Sequence, residues 1–172
     1  MGLAQISIAV NVATKQLRQP KFPTVVEQIL KENGLTANFL ELEITENVIV
    51  DHQIQQAILK LKEIGCSIIL DDFGTGNSSL NSLKKLHIDR LKIDRSFVKN
   101  INHSRGDETI IEAIIAISHS MNFKVIAEGI EHNSQLDFLR NKKCDVIQGF
   151  LWSKPISAEA LEILLKKQRH SK

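Results

Sequence analysis

Phe39-Leu40-Glu41-Leu42-Glu43-Ile44-Thr45 is the stretch that decides the architecture. Read as a β-strand, it places Leu40, Leu42 and Ile44 on one face and Glu41, Glu43 and Thr45 on the other. A strand buried between two helix layers rejects glutamates on either face. A barrel strand does not, because it turns apolar side chains toward the helices and polar ones toward the mouth. Outward from this stretch, short apolar runs alternate with amphipathic ones. Strands are predicted at Ile6–Val12, Phe39–Thr45, Cys66–Leu70, Arg90–Ile93, Lys124–Ala127 and Asp145–Ile147. Helices are predicted at Thr24–Glu32, His52–Ile64, Ser79–Lys85, Asp107–His119, Ser134–Asn141 and Ala158–Lys167. Gly34 and Gly65 stand where helices should stop, and Asp51 and Ser157 where helices should start. Repeated βα units argue for a parallel sheet with helices outside. An open doubly wound sheet gives a similar pattern; the glutamates favour the barrel. A full barrel has eight units and about 250 residues. Six units in 172 residues place the first strands upstream of this chain.

The composition is that of one globular domain, residues 1–172, with 42% hydrophobic and 24% charged residues. A net charge of +2 gives no polyanion-coating surface, so no nucleic acid duplex is expected, and an anionic substrate must be held by a local site. The basic tail of Lys166, Lys167, Arg169 and Lys172 reads as a solvated terminus. Cys66 and Cys144 lie in or beside apolar runs and read as free thiols, with no zinc-type spacing. No run approaches the ~18 apolar residues of a membrane span, and the first residues are not a signal peptide. A cytoplasmic setting follows as the expectation.

The polar residues fall in a telling place. Asn11, Glu43, Asp71, Lys92, Glu128 and Gln148 each lie at or near the carboxyl end of a predicted strand, one per strand. In barrel enzymes that rim gathers the chemistry. Asp71-Asp72 ends an apolar run, and two adjacent carboxylates repel unless something positive sits there. The bland alternative is a turn opened by aspartates. Asn, Glu, Asp, Asp and Glu offer hard oxygen donors, which suit Mg²⁺ or Mn²⁺ rather than zinc. A pair of such ions holds and activates a phosphodiester. Lys92 alternates with Leu91 and Ile93, so its ammonium points to the rim; it either orients water or simply pairs with a rim carboxylate. Gly74-Thr75-Gly76-Asn77-Ser78-Ser79 reads as a phosphate cradle, a lid or an interface.

Six stretches in order resemble the EAL family of cyclic-di-GMP phosphodiesterases: Ala9–Val12, Leu40–Asn47, Asp71–Leu80, Leu91–Val98, Ile126–Glu131 and Gln148–Pro155. The resemblance implies a TIM-like (β/α)₈ barrel with one antiparallel strand near its start. It also implies hydrolysis of cyclic-di-GMP to linear pGpG with two Mg²⁺ or Mn²⁺ ions. Carried over by motif, Asn11, Glu43, Asp71, Asp72 and Glu128 are the expected metal ligands, with Asp71 bridging. Lys92 and Glu128 are the expected catalytic groups, with the general base left open between them. Gln148 and Asp94 are expected to meet substrate. Glu131 is expected to steady the loop of Phe73, Gly74, Thr75 and Gly76, through which the family couples a homodimer to activity. A sensor or GGDEF cyclase domain is expected upstream, in a bacterial protein that as a whole is anchored to a membrane or not.

Two departures matter. Asn77 stands where the family has an aromatic residue, and the Glu-Ala-Leu motif itself is absent from these residues. Its glutamate is a metal ligand in the family, so this piece is expected to be weak or inactive alone. A non-hydrolysing receptor or interaction module is the rival reading; degenerate domains lose the double aspartate, the lysine or the glutamates, all of which are kept here. An unrelated magnesium-dependent barrel is the remaining alternative.

Overall fold

The computed structural model describes residues 5–46, 51–74, 83–84 and 86–169. Six strands form one sheet: β1 (Ile8–Asn11), β2 (Leu40–Thr45), β3 (Ser67–Phe73), β4 (Arg90–Ile93), β5 (Lys124–Ala127) and β6 (Val146–Ile147). All neighbouring pairs are parallel, and the spatial order follows the chain order without reversal. A doubly wound sheet reverses its strand order at a switch point; this one does not, so the sheet is an arc of a TIM-like α/β barrel.

The helices are α1 (Thr14–Leu17), α2 (Phe22–Glu32), α3 (His52–Ile64), α4 (Arg95–Val98), α5 (Arg105–Ser120), α6 (Asn133–Asn141) and α7 (Ala158–Arg169). Asp51 caps α3 by accepting from the N–H groups of Gln53 and Ile54, and Gly65 ends it at φ +106°. Ser157 accepts from Ala160 N at the start of α7. Helices α1 and α4 were not expected, because four residues are too few to show a helical period. The expected helix at 79–85 lies outside the described residues except at 83 and 84. β1 is shorter than expected. β3 runs on through Asp71, Asp72 and Phe73, because Phe73 pairs with Ile93 after a register shift. Asp72 takes up that shift at φ +57°.

One face of the sheet meets the helices. Leu42, Ile44, Ile68, Leu70, Leu91, Ile93, Val125 and Ala127 are buried there, with Ile54, Ile58 and Leu61 of α3, Ile111 and Ile115 of α5 and Leu139 of α6. The opposite face carries ion pairs. Glu41 and Glu43 of β2 reach Arg90 and Lys92 of β4, across β3 which lies between them. Neighbouring strands lie about 4.8 Å apart, so β2 and β4 stand about 9–10 Å apart. Side chains close that gap because the inner face is concave.

Two aspartates tie strand starts to helix ends. Asp89, just before β4, accepts from Ile68 N of β3 at 2.8 Å and pairs with Lys62 in the last turn of α3. Asp145, just before β6, accepts from Val125 N of β5 at 2.8 Å and pairs with His119 in the last turn of α5 at 2.8 Å. The same construction recurs two strands on, at the end of the barrel remote from the rim residues. At the edge, β1 leaves Ile8 and Val10 exposed.

Candidate active site

The alternation that buries Leu91 and Ile93 against the helices turns Lys92 inward, where it is 4% exposed. Its Nζ lies 3.1 Å from Glu43 Oε2 on β2, 3.4 Å from Asp71 Oδ1 on β3 and 3.4 Å from Glu128 Oε2 just past β5. Four of the rim residues expected from the sequence therefore converge on one point. The bland reading of Lys92 as a salt-bridge partner holds geometrically, and it holds with three carboxylates rather than one. Burial alone would push the Lys92 pKa down. The hydrogen bond that Lys92 donates to Glu43 and the charges of Asp71, Glu43 and Glu128 outweigh that and hold it above its ordinary value.

Beside this cluster lies a second one. Asp72, Asp94 and Glu128 each offer a carboxylate oxygen, all within 4.8 Å of one another. Partial burial raises the Asp72 pKa, and the charges of Asp71, Asp94 and Glu128 add to the rise while Lys92 opposes it. Asp71 Oδ1 accepts from Asp72 N at 3.0 Å. Asp94 also caps α4, accepting from Ser96 N at 2.9 Å. Asp94, expected to meet substrate, thus lies beside Asp72 and Glu128.

Glu43, Asp71 and Glu128 thus face one ammonium, with Asp72 and Asp94 beside Glu128. Carboxylates crowded in this way need more positive charge than one lysine supplies, so the donor set fits small divalent cations. Asn11 ends β1 in register with Glu43, and is exposed. Gln148 is fixed by its backbone, donating to Ala127 O at 2.9 Å and accepting from Ile130 N at 3.2 Å. Its side chain lines a cavity of about 570 Å³ together with Glu128, Arg95, Glu131, Phe150 and Lys154. Glu131 accepts from Arg95 Nη2 at 2.6 Å, while Arg95 N donates to Glu128 Oε1 at 3.3 Å. Arg95 lies in the Leu91–Val98 stretch, but the sequence assigned it no role of its own. In the expected regulatory loop, Phe73 is buried and Gly74 sits at φ +99°. Thr75 and Gly76 lie outside the described residues.

The profile of the EAL domain family matches residues 1–155. The chain belongs to the EAL domain family. It is 42% identical over 171 residues to the cyclic di-GMP phosphodiesterase NbdA of Pseudomonas aeruginosa, covering 98% of this chain and 22% of that protein. Among solved structures, the EAL domain of Mycobacterium smegmatis DcpA superposes with TM-score 0.89 at 39% identity, over 94% of this chain and 74% of that one. The MucR phosphodiesterase in complex with c-di-GMP gives TM-score 0.85 at 37% identity, over 90% and 64%. Klebsiella pneumoniae BlrP1, solved with manganese and the dinucleotide, gives TM-score 0.82 at 26% identity, over 88% and 40%. The chain spans about a fifth of the length of the first curated relatives it matches. Among the described residues, no helix is long and apolar enough to cross a membrane.

Proposed function

We propose that this chain supplies most of the catalytic rim of a cyclic-di-GMP phosphodiesterase that yields linear pGpG. The observation that carries the reading is the meeting of Glu43, Asp71 and Glu128 on Lys92, with Asp72 and Asp94 alongside. The names of NbdA and MucR support it. Asn11, Glu43, Asp71, Asp72 and Glu128 would hold two Mg²⁺ or Mn²⁺ ions, with Asp71 shared, and Asp94 joins that set. Bound divalent ions would polarise the phosphodiester and make a water acidic.

The chain's own groups have separate parts. Lys92 donates hydrogen bonds as an ammonium and points the attacking water and a phosphoryl oxygen toward each other. Glu128, held by the Arg95 backbone N–H, accepts the proton that the water loses. The new P–O bond forms as the bond to the 3′ oxygen breaks, and that oxygen leaves with a proton. Gln148 and Phe150 in the adjoining cavity meet the nucleotide. Dimerisation through the loop after Asp72, steadied by Glu131, an upstream sensor or GGDEF domain and a cytoplasmic location belong to the same proposal.

The test is Mn²⁺-dependent hydrolysis of cyclic-di-GMP by this chain and by a form extended upstream with the family's first strands. Turnover in the extended form that Asp71→Asn abolishes supports the proposal. Calorimetric binding with no turnover in the extended form would instead identify a receptor.

A further inference from the structure

A second concavity, of about 150 Å³, opens on the other side of the Arg95–Glu131 ion pair from the large cavity. Arg95, Gly129 and Glu131 line both, so together they form the wall between them. That wall is built closely. Gly129 sits at φ +77°, and a Cβ there would lie 2.4 Å from Arg95 Cγ, so the arginine stem packs directly on the glycine backbone. The remaining polar lining is Lys99, His103, His132, Ser134 and Gln135, the last with its amide oxygen already accepting from Glu131 N and His132 N and its amide nitrogen donating to Val98 O. Among the described residues, Lys99, His103 and His132 enter no ion pair. Among the described residues Glu131 is the one carboxylate in the lining, and it is already engaged by Arg95.

We propose that this concavity is an anion site for a tetrahedral oxyanion, either free phosphate or the phosphate of a nucleotide, whose occupancy draws the Arg95 guanidinium away from Glu131. Three features argue for it. Lys99, His103 and His132, from two segments, surround a hollow and among the described residues pair with no carboxylate, while Arg95 pairs with Glu131. A guanidinium matches a phosphate with paired N–H donors. Arg95 is half-exposed and can swing between Glu131 and the hollow without unfolding anything. The inference does not depend on the metal reading. Its functional interest is that the same residue holds Glu128 through its backbone N–H, so an anion in this hollow acts one residue away from the rim.

The test is calorimetric titration of the whole 172-residue chain with inorganic phosphate at pH 7, after metal has been removed so that the rim cannot bind phosphate through a cation. Saturable binding is expected. Lys99→Ala and Arg95→Ala should each weaken it about tenfold, the worth of one charge-assisted hydrogen bond. Glu131→Gln should tighten it about threefold, because the competing, repelling carboxylate is gone. A merely structural Arg95–Glu131 pair predicts the opposite for Glu131→Gln, with weaker binding or none. Lys99 is exposed, so its variant keeps the fold even if Arg95→Ala does not. A parallel titration with GMP separates the sources, tighter binding than phosphate pointing to a nucleotide. Absence of saturable binding, or indifference to Lys99→Ala, or no gain from Glu131→Gln, overturns the proposal.

Discussion

Replacing Lys92 by methionine keeps the length of the side chain and removes its charge. The ammonium lies 3.1–3.4 Å from three carboxylate oxygens. At an effective dielectric of about 20, each contact is worth about 5 kcal/mol of gross attraction. Desolvation of the ammonium and repulsion among the acids offset most of that. What remains is the cost of leaving Glu43, Asp71 and Glu128 facing one another without a cation, about 3–5 kcal/mol at neutral pH. The assay is urea unfolding of wild type and Lys92→Met across pH. Lys92 has a raised folded-state pKa, so its contribution is complete below the unfolded value of about 10.4 and is lost as pH rises through the folded value. The variant's deficit should therefore shrink as pH rises through that folded value. Mn²⁺ should also restore part of the deficit, by binding only the folded state. A variant as stable as wild type at pH 7, or a deficit that stays unchanged as pH rises through the folded value of Lys92, would refute the electrostatic account of this cluster.

Asp145→Asn should cost about 1 kcal/mol at pH 7, the worth of one hydrogen bond of the carboxylate to Val125 N. Although burial works against it, the Val125 N–H and His119 hold the Asp145 pKa below its ordinary value. That contribution is present above the unfolded value of about 3.9 and disappears as pH falls through the folded value, so the two unfolding curves should merge in acid. Gly149→Ala brings a Cβ to 2.1 Å from Ile130 O and 2.4 Å from Ile130 N, both backbone. It should destabilise by at least about 1–3 kcal/mol in a urea melt. The Cys144 thiol is pushed up to about 11 by burial, and burial raises Cys66 as well. At pH 8 the thiolate of Cys144 is on the order of 0.1%, so a disulfide reagent should react slowly with the native chain and fast with both thiols in urea.

The alternation in Phe39–Thr45 was enough to separate barrel from doubly wound sheet, because Glu41 and Glu43 are buried on the inner face where only a curved sheet can partner them. The strand-end positions of Glu43, Asp71, Lys92 and Glu128 were legible for the same reason: a period of two fixes which face each occupies. What could not be read were features set by tertiary contact. β3 extends through Asp71-Asp72 only because β4 supplies a partner beyond the register shift. Asp94 joins Asp72 and Glu128 through the turn into α4, a helix too short to announce itself. The Arg95–Glu131 pair spans residues from two different βα units, and no local pattern encodes it.

The pairs Glu41–Arg90 and Glu43–Lys92 both step over β3, one rung above the other. If the sheet flattened, β2 and β4 would draw their inward-facing ends apart, and buried charges on both rungs would lose their partners together. Curvature is therefore not only a by-product of strand twist in this molecule. It is latched from inside, so that a mutation which loosens the bowl should disturb the arrangement of rim acids before it disturbs the helices outside.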